Sequence, residues 1–146
     1  MMLNEYRFRR VWSLHVGTPR VFGALVDLTS WPLWWPDVRS VQRIDDDTAE
    51  MTCRATLPYT LGFRLRRSVQ DEPTGRLRVE MTGDLEGHTE ATVSGDDSTS
   101  RLEIDQCVET TKPLLRTFAP VARPLFVANH ALMMRRGQRG LRAYLA

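Results

Sequence analysis

Apolar and polar residues alternate with period two along most of this chain and give way to helical spacing near its end. In the first run, Tyr6, Phe8, Arg10, Trp12, Leu14 and Val16 share one parity, opposite Arg7, Arg9, Val11, Ser13 and His15. Successive strand side chains point to opposite faces, so the first set predicts a core-facing side. Arg10 is its odd member, placed either at the rim or in a polar patch inside. Six more runs follow between residues 38 and 110. Residues 38–45 form one, and Met51, Cys53, Ala55 and Leu57 alternate in the next. Leu61, Phe63, Leu65, Arg67 and Val69 share a parity, then Leu77, Val79 and Met81, then Thr89, Ala91 and Val93, then Leu102, Ile104, Gln106 and Val108. Short polar turns separate them, among them Asp45-Asp46-Asp47, Glu72-Pro73-Thr74-Gly75, residues 83–87 and Gly95-Asp96-Asp97. Such spacing predicts a meander of antiparallel strands.

Between the first and second strands the period changes. Thr18-Pro19 suits a helix start, and Val21, Phe22, Leu25 and Val26 make a short helical stripe. Trp31-Pro32-Leu33-Trp34-Trp35-Pro36 follows, where two prolines oppose a regular helix or a central strand. The tail from Pro113 onward predicts one long helix, with a kink near Pro120 and Pro124. Phe126, Asn129, Met133, Gly137, Gly140 and Tyr144 recur at helical spacing, with Leu125, Leu132 and Leu141 widening the stripe. Gly137 and Gly140 weaken a helix by up to about 1 kcal/mol each relative to alanine. Close approach of the sheet backbone would compensate, making 137–144 the closed end and 126–133 the roomier one.

The long helix is the element large enough to cover a half-buried sheet. This predicts an α+β domain in which a curved antiparallel sheet of about seven strands wraps around a C-terminal helix, with two short helices after the first strand. The 146 residues suit one domain, 1–146. A net charge of +2 is too small to argue for nucleic acid. Cys53 and Cys107 are the only cysteines, and no Cys/His spacing suits zinc, so neither a metal nor a cofactor is implied. Charges break up residues 1–12, and no run approaches the roughly 20 apolar residues of a membrane span. The expectation is a cytoplasmic protein without stable membrane insertion; a homodimer stays open.

Trp31-Pro32-Leu33-Trp34-Trp35-Pro36-Asp37-Val38 resembles the W-P-x-W-x-P-x-V segment after the first helices of START-like (SRPBCC superfamily) proteins. Residues 126–141 resemble that superfamily's closing helix, in its polyketide cyclase/dehydrase and lipid-transport branch. The element order agrees, and the resemblance covers nearly the whole chain. It implies a helix-grip fold with a deep, mainly apolar cavity between sheet and last helix. It does not name the ligand.

Within that frame several residues are candidates. Arg67 falls on an apolar parity, so it points inward as a ligand anchor or structural ion pair, unless a bulge returns it to solvent. Gln106 lies among apolar neighbours and could hold a ligand oxygen or simply be a satisfied amide; Arg10 is similar. Asn129 and His130 sit mid-helix, where one of them looks inward and His130 could move a proton near neutral pH. Trp34, Trp35 and Tyr59 suit the lip of an entrance, and Phe63 and Phe126 the cavity wall. Met81 and Met133, with Met51 and Met134, would give a soft lining. His15 and His88 fall on polar faces and carry no role.

Four functions compete. The first is binding of a hydrophobic small molecule: a lipid, polyketide or aromatic metabolite. The second is an aromatase/cyclase, with Arg67 and His130 as the catalytic pair promoting enolisation, aldol closure and water loss. The third is a filled-core interaction module, favoured by a void below about 100 Å³, since small-molecule sites usually reach several hundred. Membrane-surface docking is weaker, because Arg135, Arg136, Arg139 and Arg142 wrap around the helix.

Overall fold

The structure is a computed structural model, and it describes residues 5–54, 59–112 and 119–146. Strand β1 (Glu5–Leu14) is followed by helix α1 (Thr18–Val26), a 3-10 turn (Leu28–Ser30) and the one-turn helix α2 (Trp31–Trp34). Strands β2 (Val38–Arg43), β3 (Thr48–Cys53), β4 (Leu61–Asp71), β5 (Arg76–Gly83), β6 (Leu85–Gly95) and β7 (Ser100–Thr110) come next. Helix α3 (Ala119–Leu145) closes the described chain. The seven strands form one antiparallel sheet in the order β1-β7-β6-β5-β4-β3-β2. The short helices carry the chain from one sheet edge to the other, and the meander then returns until β7 pairs with β1.

The parity argument holds for most of the inner face. Tyr6, Phe8, Trp12, Leu14, Met51, Cys53, Phe63, Leu65, Met81, Ala91, Leu102 and Val108 are all buried. The outer face carries ion pairs such as Arg64–Glu50 and Arg76–Glu90. Bulges at Val38/Ser40 and Arg67/Val69 interrupt the ladder in β2 and β4. A bulge bends its strand and shifts its alternation, which helps the sheet curve.

Several boundaries differ from the sequence expectation. β3 ends at Cys53; Ala55 and Leu57 lie outside the described residues, as does the tail at 113–118. The turn expected over 83–87 shrinks to Asp84. The tryptophan segment does contain a helical turn, because Pro32 sits in the first turn, where its missing N–H costs nothing. Pro124 lies inside a single continuous α3 rather than dividing it.

The helix stripe is also displaced by about one position from Asn129 onward. Phe126, His130, Met134, Gly137, Leu141 and Leu145 are the buried line, while Leu125, Leu132 and Tyr144 are exposed. The helix glycines serve a close approach, but not of the sheet backbone. A Cβ at Gly137 would lie 2.6 Å from the Trp35 indole and 2.9 Å from that of Trp12. One at Gly140 would overlap the carbonyl oxygen of Trp34. The tryptophan segment therefore presses on α3 here. Trp35 Nε1 donates to the Met133 carbonyl at 2.9 Å, and Arg136 grips buried Asp37 with Nε at 3.1 and 3.0 Å from its two oxygens.

Candidate functional site

One turn before this pinch, α3 stands off from the sheet. The inner side of β6 carries Thr89 and Ala91, small residues that leave space beneath residues 126–134. The hollow has two chambers. The larger, about 100 Å³, lies among Trp12, Trp31, Trp35, Met51, Leu65, Met81, Ala91 and Ile104. The smaller, about 50 Å³, lies among Phe8, Leu61, Leu85, Val108, Phe126, Asn129 and His130. Cys53, Phe63, Gln106 and Met133 border both. Burial pushes the Cys53 thiol up to about 12, helped by the nearby Asp37 carboxylate, so it stays a neutral thiol.

A chain of polar groups crosses the dividing wall. Thr89 and Gln106 are directly opposed on β6 and β7, and Gln106 is opposed in turn by Phe8 on β1. Thr89 Oγ1 donates to the Met81 sulfur at 3.2 Å, and Gln106 Nε2 donates to Thr89 Oγ1 at 3.0 Å. His130 Nε2 lies 2.8 Å from Gln106 Oε1. The imidazole stacks on the Phe8 ring, with centroids 3.6 Å apart and planes 9° from parallel. Its Nδ1 is buried and has no hydrogen-bond partner among the described residues. Burial, and then the positive charge of Arg10, lower the His130 pKa to about 4, so the ring is neutral at pH 7.

The predicted residues divide accordingly. Phe63, Met81, Gln106, Phe126, Asn129, His130, Met133 and Trp35 line one or both chambers. Trp34 is buried but lines neither, its carbonyl being spent against Gly140. Tyr59 packs on the core without lining either chamber; its hydroxyl is buried and unpartnered, and burial raises its pKa to about 12. Arg10 is half-buried on the inner parity, where it donates to the Arg9 carbonyl and acts on His130 only through its charge.

Arg67 requires a correction. It does not point into the hollow and does not pair with His130. It keeps the parity of Leu65, opposite Val79 and just before the β4 bulge, and its side chain reaches the β2–β3 turn, where it bonds the Asp47 carboxylate, the Asp46 carbonyl and the Gln70 side chain. Arg67 is opposed by Val79, and Val79 by Thr89, so three strand spacings, roughly 14 Å, separate it from Gln106 along the sheet. It lines an open, polar cleft of about 460 Å³ with Asp45, Asp46 and Asp47. Leu25, Leu28, Leu77 and Val79 border both this cleft and the larger chamber. These four side chains form the wall between the polar cleft and the larger chamber. Sequence reasoning missed Thr89 and Phe8 as partners of the site. Thr89 shared parity with Ala91 and Val93, the same signal that singled out Gln106.

Comparison by sequence finds no matching family model and no matching curated protein. Comparison of structures does find relatives. An aromatase/cyclase, Zhui, from a Streptomyces species superposes with a TM-score of 0.76 at 10% identity, covering 97% of this chain and 93% of that one. A conserved protein from Geobacillus kaustophilus gives 0.80 at 9% identity, covering 96% and 95%. A START superfamily protein from Mycobacterium smegmatis gives 0.74 at 11%, covering 95% and 96%. The fold is a helix-grip fold. At such identities the likeness carries architecture and not activity. Among the described residues of this helix-grip chain, no helix is long and apolar enough to cross a membrane, and no cluster of side chains could hold a metal ion.

Proposed function

We propose that this protein binds a small, mainly apolar molecule between its sheet and α3. The observation that carries this reading is a two-chambered hollow walled by aromatic, aliphatic and methionine side chains, with one short polar chain inside. Apolar cavities of about 150 Å³ hold a benzene-sized guest. The larger chamber, about 100 Å³, is smaller than that, so a single-ring compound fits once a flexible side chain of the wall such as Met133 gives way. A longer lipid or polyketide needs Met51, Met81, Met133 and Met134 to swing aside, which flexible thioether side chains allow.

The cyclase reading draws on the likeness to Zhui and on an imidazole beside the hollow. It ranks second because Arg67 is engaged elsewhere and because an imidazole with a pKa near 4 is a weak base at pH 7. The filled-core module is the remaining competitor, since the larger chamber sits at the volume where the two readings part. Binding decides between them. Toluene and p-xylene, titrated while tryptophan fluorescence is followed, should perturb the emission of Trp12, Trp31 and Trp35 around the larger chamber. Ala91→Leu, which fills that chamber, should abolish the response while circular dichroism stays unchanged. No response from the wild-type protein up to the solubility of either probe would leave the filled-core module standing.

A further inference from the structure

The polar chain across the wall determines which nitrogen of His130 carries the proton. A thioether sulfur only accepts hydrogen bonds. The single hydroxyl proton of Thr89 is directed at Met81 Sδ, so Thr89 Oγ1 has only lone pairs to offer Gln106. Gln106 must then turn its NH2 toward Thr89, where it also lies 3.8 Å from the same sulfur. Its carbonyl oxygen is left facing His130 Nε2 at 2.8 Å. An oxygen acceptor at that distance requires a proton on Nε2. In a neutral ring Nδ1 is then a bare acceptor, and it is the nitrogen that has no partner.

His130 is 6% exposed. A buried acceptor left unpaired in this way costs stability until something donates to it. Solvent does not reach Nδ1, His130 borders the smaller chamber, and Met133 is the flexible neighbour in that chamber that can give way to a donor. We propose that His130 Nδ1 accepts a hydrogen bond from the bound molecule, and that the ligand class is a small, mainly apolar compound carrying a hydroxyl donor: a phenol, enol or alcohol. This rests on the binding reading above and narrows it. Ethers, hydrocarbons and ketones lack the donor and would leave Nδ1 unpaired. Carboxylates would bring a full charge into a mainly apolar wall, where desolvation opposes it.

The test compares 4-methylphenol with p-xylene, which have nearly the same shape and differ in that a hydroxyl replaces one methyl group. Affinities for both are measured by calorimetry on the wild-type protein and on His130→Phe, whose ring keeps the stack on Phe8. The ratio of 4-methylphenol to p-xylene affinity should fall about tenfold in the variant, the effect of one well-made hydrogen bond to a buried acceptor. In parallel, long-range proton–nitrogen NMR of the wild-type protein should show Nε2 protonated and Nδ1 bare, with the Nδ1 signal moving when 4-methylphenol is added. That measurement stands even if the variant does not fold. An unchanged ratio with both probes bound overturns the hydroxyl assignment and leaves apolar binding intact. A protonated Nδ1 in the free protein overturns it as well. Failure of both probes to bind the wild-type protein overturns the binding reading itself, and the hydroxyl assignment with it.

Discussion

Acidifying the solution tests the burial of His130 most directly. The folded-state pKa is about 4, against an ordinary value of 6.5. Between these values the unfolded chain binds a proton that the folded chain refuses, so folding stability falls as the pH falls through that window. The contribution is fully present above pH 6.5. Working the linkage through, stability drops by about 1 kcal/mol at pH 6, about 2 at pH 5 and about 3 at pH 4 relative to pH 7. Arg10 on β1 is the charged neighbour acting on the ring, and Tyr6 and Tyr59 stay neutral throughout because burial raises both. Urea denaturation of the wild-type protein and of His130→Phe at each pH isolates the effect. Every other titrating group is common to the two proteins and cancels in the difference between them. That difference should shrink in favour of the variant by the amounts above as pH falls. Arg10→Gln should move the window upward only slightly, because burial is the larger cause of the shift. A wild-type-minus-variant difference that stays flat between pH 7 and pH 5 would refute the burial of a neutral imidazole here.

Three further outcomes follow from the packing. Gly140→Ala places a methyl group on the Trp34 carbonyl, so it should destabilise the fold by about 3 kcal/mol in chemical denaturation, despite alanine's better helix propensity of about 1 kcal/mol. Tyr59→Phe removes a buried hydroxyl without a partner and should raise stability by about 1 kcal/mol, read as a higher melting temperature; a loss would mean that the hydroxyl is satisfied in solution. Arg67→Ala breaks a half-exposed ion pair in the polar cleft, so it should lower stability by at most about 1 kcal/mol. Titration of p-xylene should also give the same affinity before and after that change, as Arg67 does not line the hollow.

Two-residue alternation determined much of this protein. It placed Phe63, Met81 and Gln106 on the inner face and ordered the strands as a meander, because strand parity is local and one buried face leaves a plain record in composition. Helical spacing likewise marked α3, and its glycines marked a pinch. Tertiary structure decided the rest. The bulge in β4 lies just beyond Arg67 and reverses Val69, an event that parity counting cannot register because one extra residue shifts every later position, while Arg67 keeps its parity and is drawn to the Asp47 carboxylate in the β2–β3 turn. Which surface met Gly137 and Gly140 depended on where α2 docked, and the tryptophan segment took the place expected of the sheet. His130 was visible as a residue on a helix. Its stacking, its hydrogen bond and its low pKa come from Phe8, Gln106, burial and Arg10, with Thr89 and Met81 bonded in turn behind Gln106, residues on four different strands brought together by register. A side chain's chemistry depends on the groups that exclude water from it and the groups that bond it, and only the folded chain assembles both.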